Sequence, residues 1–424
     1  MKRAREITVR HVTRVEGHGD IHIKVKDGRL VDARWAVVET PRFFEAMLKG
    51  MSHDLAPILT ARICGICSIG HCLASLRAVE RAMDVKVPET ARLLRLLAKH
   101  GETLQSHALH VFFLSAPDLF KVGSVIPLIK SHPEVVGIAA RLKKLGNDAC
   151  DLIAGRTTHP VSLVVGGLSR LPTDKQIEEL RGAFLARLPD MRAAVDLFKT
   201  LPMPDFQRET EFVSLKGQGD YPWIGGDLVS SDGVRRPEDG YLAMTNEYKV
   251  EFSTSKFAKL SRESFAVGAL ARFNNNHKHL RPEAKGAAKA LGLSPLSHNP
   301  FMNNVAQLVE CYHVMLESIE LLDGLLGRRG KTASRPYKVK AGRGVAAVEV
   351  PRGILYHEYE LDKKGKVVRA NCVIPTTQNH ANIHHDLRAL AARLVREGKS
   401  DGEITLLSEM LVRSYDPCIS CSVH

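Results

Sequence analysis

Two Cys-x-x-Cys pairs at opposite ends of the chain limit what it can fold into. Cys64-Gly65-Ile66-Cys67 lies near the start and Cys418-Ile419-Ser420-Cys421 at the end, with about 350 residues between them. A structural zinc site draws such pairs from neighbouring turns, commonly about 12–20 residues apart. Neither pair has the strand–helix–strand setting of a thioredoxin-like redox motif. Four thiolates converging from both ends would staple the chain around one centre, and soft sulfur selects nickel, iron, zinc or copper(I). A chain closed in this way does not divide cleanly in two, so residues 1–424 are expected to form one interlocked unit. Its length exceeds the about 250–300 residues of a simple core. Of the eight cysteines, Cys72, Cys150, Cys311 and Cys372 have no pairing of their own. Cys150 and Cys311 fall on helical patterns, where a buried inert thiol is the default. No iron–sulfur cluster is expected besides the four-cysteine site.

The hydrophobic pattern predicts an α+β fold. Ile21, Ile23 and Val25 alternate before a hairpin turn at Asp27-Gly28. Pro88 opens a helix predicted to run to about Ser115, with a stripe of Leu93, Leu97, His100, Leu104, His107, Val111 and Leu114. A second long helix follows Asn299-Pro300, and others fit near 134–151, 174–199, 378–396 and 402–414. Residues 203–255 read as loops with short strands, and Arg343 to Pro375 as strands around a Lys363-Lys364-Gly365-Lys366 turn. The expected architecture is a core bundle of long helices with peripheral small β-sheets.

The net charge of +13 raises the question of nucleic acid. The densest basic clusters, Arg328-Arg329-Gly330-Lys331 and His277-Lys278-His279, lack the interleaved aromatics of a single-strand binder. A solvated surface or an acidic protein partner explains them better, and no nucleic-acid role is expected. No run of 18 apolar residues exists, so no membrane span is expected. The basic start, Met1 to Glu6, leads into no apolar signal core. The expected location is the cytoplasm, with export beside a signal-bearing partner left open. Gly330-Lys331-Thr332 follows a helix at the wrong spacing for a phosphate loop, and Gly217-Gln218-Gly219 lacks the third glycine of a dinucleotide site. No nicotinamide or flavin is expected to bind directly.

Several motifs then resemble one family in order along the chain. Arg62-Ile63-Cys64-Gly65-Ile66-Cys67 with His71, and Asp416-Pro417-Cys418-Ile419-Ser420-Cys421-Ser422-Val423-His424, resemble the two signatures of the large, catalytic subunit of nickel–iron hydrogenases. Arg14-Val15-Glu16-Gly17-His18, Ser106-His107-Ala108-Leu109-His110 through Asp118, Val350-Pro351-Arg352-Gly353 and Val373-Ile374-Pro375-Thr376-Thr377 match its other motifs.

The resemblance implies reversible heterolytic cleavage of dihydrogen, in which a metal pair takes the hydride and a base the proton. It implies nickel on all four cysteines, with Cys67 and Cys421 also bridging to an iron that carries carbon monoxide and cyanide. Cys418, terminal to nickel, is the expected first proton acceptor, and Glu16 the relay, buried so that its pKa rises. Arg352 would hang over the open metal position, held by Asp118, with Pro351 shaping a dry wall. Thr376 would donate to a cyanide, and His71 would hydrogen-bond a bridging sulfur. His107 and His110 are expected only to pack in the bundle. Glu45, His424 and a carbonyl near Cys372 would bind magnesium or iron(II).

The family is made with a C-terminal extension that is cut after the histidine following the last pair, and the final His424 fits the processed form. A maturation endopeptidase and nickel chaperones are therefore expected partners. The cysteine count requires an iron–sulfur small subunit and further redox subunits to carry the electrons, and the compact length resembles the cytoplasmic multi-subunit type. The alternatives weighed are a non-catalytic relative of the homologous complex I subunit, which lacks the four cysteines, and a four-cysteine structural zinc protein.

Overall fold

The computed structural model describes residues 4–217, 219–328 and 330–424. Met1 to Arg3 of the basic start, Gln218 of the glycine turn and Arg329 of the basic cluster lie outside the described residues.

The N-terminal strands β1 (Arg5–Val9), β2 (Gly19–Lys26) and β3 (Arg29–Val37) form an antiparallel meander. Its expected turn is present, with Asp27 and Gly28 at φ 52° and 76°, the left-handed pair that a two-residue hairpin requires. Ile21, Ile23 and Val25 all point into the core.

The helical centre follows. α1 (Ser68–Met83) is buried on nearly every face. α2 (Glu89–Ala108) starts after Pro88, and the helical path continues in wider, i→i+5 turns through Leu109–Ser115, so the predicted helix reaches its predicted end. α2 packs along α3 (Pro133–Ala154), where two glycines let the backbones touch. A Cβ on Gly146 would stand 2.6 Å from the Gln105 amide nitrogen. The pair β4 (Leu163–Val164) and β5 (Gly167–Leu168) leads to α4 (Asp174–Phe198). Thr173 and Gln176 close a reciprocal capping box at its start.

The 203–255 region carries the short strands expected there. β6 (Glu211–Lys216), β7 (Asp227–Ser230) and β8 (Arg235–Arg236) join β9 (Phe265–Ala266) in a small sheet of order β8-β7-β6-β9. α5 (Ala269–Asn276) then packs on β6, and α6 (Asn303–Leu326) lies along α2 and α4.

Strands β10 (Gly342–Val350), β11 (Gly353–Leu361) and β12 (Val367–Val373) form a second antiparallel meander, with α1 against β10. Val350 pairs with Gly353, so Pro351 and Arg352 are the two loop residues of a tight hairpin, and Gly353 supplies its φ of 134°. α7 (Pro375–Arg396) covers β3, and α8 (Asp401–Ser414) delivers the C-terminal segment. One continuous cluster of buried apolar residues runs from Ile7 to Val423. Among the described residues no helix is long and apolar enough to cross a membrane.

Candidate metal centre

Both cysteine pairs lie in turns that the fold presses together. Cys64 and Cys67 occupy the turn between the short helix Ala61–Ile63 and α1. After α8 the chain reverses at Asp416, with φ 51°, passes Pro417 and makes one helical turn, Ile419–Ser422. The N-terminal segment seals this turn from outside. Glu16 pairs with Cys418 in a single parallel bridge, and the Ile419 amide donates to the Glu16 carbonyl at 2.9 Å. Gly17 permits the approach: it has φ 82°, and a Cβ there would stand 2.8 Å from that of Ile419.

The four sulfurs all lie within 4.8 Å of one another and all four residues are buried. Cys64 Sγ is 3.7 Å from Cys418 Sγ, and the Cys67 amide donates to Cys64 Sγ at 3.1 Å. The structure joins Cys418 to Cys421 as a disulfide, whereas the expected ligand set uses both as separate thiolates, the reduced donors. Burial works to raise the Cys64 thiol, but hydrogen bonding from Cys67 and the charge of Arg352 outweigh it and hold it low. Cys67, which donates that hydrogen bond, is pushed well up.

Arg352, at the tip of its hairpin, is 3% exposed. Its Nη2 donates to Asp416 at 2.8 Å and its Nη1 to Ser106 at 3.4 Å, while its Nε has no partner. Burial opposes its charge, yet Asp416 and the nearby cysteines hold it firmly protonated. The expected partner, Asp118, is committed elsewhere. It binds Arg14 at 2.5 Å and Arg413 at 2.8 and 3.0 Å, tying the N-terminal segment and α8 to the end of the α2 path. Asp416 takes the role instead because its left-handed turn points the carboxylate back at the hairpin, where Gln307 also donates to it at 3.0 Å.

Glu16 is half-buried, not enclosed as expected. Its carboxylate accepts from the Ser420 amide at 3.1 Å and from the Ser420 hydroxyl, so it sits inside the Cys418–Cys421 turn. Thr376 is buried and its Oγ1 accepts from the Cys418 amide at 3.1 Å, which leaves its own proton to donate. Pro351 is buried, and its carbonyl accepts from Arg272 at 3.1 Å.

His71 is fully buried. Its Nδ1 is 3.3 Å from Nε2 of His357, whose Nδ1 is 2.7 Å from the Tyr359 hydroxyl, and its Nε2 has no partner. Burial drives the His71 pKa well down. His107 and His110 do more than pack: they reach Glu310 at 2.8 Å and Gln307 at 2.5 Å.

A second donor set forms beside the C-terminus. The Cys372 amide donates to Glu45 at 2.7 Å, and His424 Nε2 lies 2.8 Å from the Cys372 carbonyl and 3.7 Å from Glu45. Burial would raise the Glu45 carboxyl, but His424 and the Cys372 amide more than reverse this. Carboxylate and carbonyl are hard oxygen donors with a borderline imidazole beside them, and the four sulfurs are soft, so the two sites fit different metals.

Several residues at this site escaped the sequence reasoning. Ser420 sits inside the C-terminal motif and Arg42 three residues before Glu45, yet nothing in their spacing tells of their contacts. His380, one turn into α7, receives the Trp35 indole N–H at 3.0 Å and lies 2.9 Å from Ser422 Oγ.

The comparisons agree with this geometry. Residues 42–135 and 225–424 match the model described as nickel-dependent hydrogenase, and residues 6–40 match a HoxL-like one. The chain is 33% identical to sulfhydrogenase 1 subunit alpha of Pyrococcus furiosus, over 99% of this chain and 97% of that one. It is 30% identical to NAD-reducing hydrogenase HoxS subunit beta of Cupriavidus necator, over 99% and 95% respectively. It also resembles the solved NAD+-reducing NiFe-hydrogenase in the H2-reduced state, with a TM-score of 0.90, 27% identity and 99% of both chains covered. Four buried sulfurs drawn from both ends, within a fold and sequence shared with these enzymes along its whole length, make this chain a member of the nickel-dependent hydrogenase family.

Proposed function

We propose that the chain, acting as one unit over residues 1–424, cleaves dihydrogen reversibly into protons and electrons at a nickel–iron centre held by Cys64, Cys67, Cys418 and Cys421. The convergence of the four sulfurs within 4.8 Å in a buried site carries this reading. When bound, the centre supplies the Lewis acidity that polarises dihydrogen towards heterolysis. Its iron carries carbon monoxide and cyanide ligands.

The chain's own groups do the rest. As a free thiolate, Cys418 Sγ takes the proton, and Glu16, bonded into the same turn through Ser420, passes it outward. Arg352 presents a fixed positive charge, oriented by Asp416, and Pro351 keeps water from its side of the site. Thr376 and His71 offer hydrogen bonds to the ligands of the centre. Glu45, His424 and the Cys372 carbonyl hold magnesium, or iron(II), which braces the C-terminal turn.

The electrons leave through an iron–sulfur small subunit and further redox subunits, in a cytoplasmic assembly. A maturation endopeptidase and nickel chaperones serve its loading. Elemental analysis with infrared spectroscopy tests the reading: nickel and iron near one each, with bands from metal-bound carbon monoxide and cyanide. Zinc alone in active protein, or no such bands, would overturn it.

A further inference from the structure

One guanidinium touches both halves of the cysteine site. Arg42 Nη2 donates to the Ile63 carbonyl at 2.8 Å and to the Ser420 carbonyl at 2.5 Å. Its backbone amide donates to the Val423 carbonyl at 2.8 Å. Ile63 and Ser420 are the residues immediately before Cys64 and Cys421. Each accepting carbonyl therefore belongs to the peptide plane from which a cysteine springs, and turning that plane moves the sulfur. The Cys421 sulfur also lies 3.8 Å from the Ile63 carbonyl, so the two halves meet at this oxygen.

The backbone around Arg42 is built for this contact. Phe43 is 65% exposed and has φ 58°, a left-handed conformation that a bulky side chain adopts only when its surroundings impose it. The kink sends Arg42 back towards the cysteine turns while Glu45, at the start of the next short helix, faces Cys372 and His424. The Phe44 ring lies under the guanidinium at 5.2 Å.

We propose that Arg42 is a positioning residue that fixes the C-terminal cysteine pair against the N-terminal one. Charge-assisted bonds to two carbonyls from one planar group hold both turns in register, which a mobile point charge does less well. The proposal rests on the reading of the four cysteines as one centre. It predicts that the clamp acts on the closed C-terminal turn itself, whether or not metal is present.

The test compares wild type, Arg42→Met and Arg42→Lys as full-length chains, made with and without nickel. Hydrogen exchange of the 416–424 segment is followed by mass spectrometry, with nickel content and the infrared bands of the loaded protein. In Arg42→Met the segment should exchange at least about tenfold faster, the loss of roughly one charge-assisted bond. Exchange in α2 and α3 should stay unchanged, nickel content should fall and the remaining infrared bands should broaden. Arg42→Lys should restore part of the protection, and it carries the test alone if Arg42→Met does not fold. Wild-type exchange in both variants, or equal losses in α2 and α3, would overturn the clamp. Wild-type protein lacking nickel would overturn the reading of the centre, and the exchange comparison in nickel-free chains would still judge Arg42.

Discussion

Arg352 and Asp416 form a buried ion pair at 2.8 Å, with side chains 3% and 2% exposed, that joins the β10–β11 hairpin to the turn leading into Cys418. Removing one partner strands a charge in a dry site, a loss of about 3–5 kcal/mol. Asp416→Asn should therefore lower the melting temperature and also the turnover per nickel-loaded molecule, because Arg352 loses its anchor. Asp118→Asn should lower stability by freeing Arg14 and Arg413, yet leave turnover per loaded molecule close to wild type. The opposite pattern would return Asp118 to the role the motif suggested.

Glu16→Gln separates proton transfer from architecture. A glutamine can still accept from the Ser420 amide through its carbonyl, so the turn should stay closed and the metal content intact. It cannot take up and release a proton, and turnover should fall by about a hundredfold or more. Turnover equal to wild type would remove Glu16 from the proton route.

How much of this was legible beforehand depended on the kind of contact involved. Helices α2 and α6 were readable because the periodic stripe through Leu97 and Leu104, and through Leu308 and Met315, is buried, although residues 97–108 and 303–315 are buried on every face. The cysteine pairs were readable because soft-metal chemistry demands such donors, and Glu45 and His424 only through the family resemblance; the structure brings each set together. Asp118 and Asp416 were not separable, since each is an aspartate at a family motif. Only the left-handed turn at Asp416 decides which one faces Arg352. The bonds from Arg42 to Ser420 and from Trp35 to His380 each cross more than 300 residues, and such contacts leave no period or spacing in a sequence.

Acid should destabilise the fold well above the usual carboxylate range. Burial depresses His107 to about 4, and His357 and His380 to about 3. In the unfolded chain each takes a proton near about 6.5, so below that pH the unfolded state binds more protons than the folded one. Their contribution is complete above about pH 7 and is lost as pH falls through the folded values, at about 1.4 kcal/mol per pH unit for each histidine. Urea midpoints measured from about pH 7.5 down to about 5 should fall steadily, and His380→Gln should flatten the slope by about one proton. A flat profile would mean that these rings are protonated in the folded state.

Arg272 carries the last prediction. Fully buried on α5, it spends all five donors: two on Glu310 at 2.7 and 2.6 Å, one on Glu349 at 3.0 Å, and one each on the Val350 and Pro351 carbonyls at 2.9 and 3.1 Å. Those carbonyls belong to the two residues before Arg352, so the guanidinium holds the hairpin from behind. Arg272→Lys keeps the charge but cannot reach five acceptors, and should cost about 3–5 kcal/mol of stability. If the contact also orients Arg352, turnover per loaded molecule should fall in Arg272→Lys but fall little further when Arg352→Lys is already present. Additive losses in that double-mutant cycle would confine Arg272 to the core, because independent sites add and coupled ones do not.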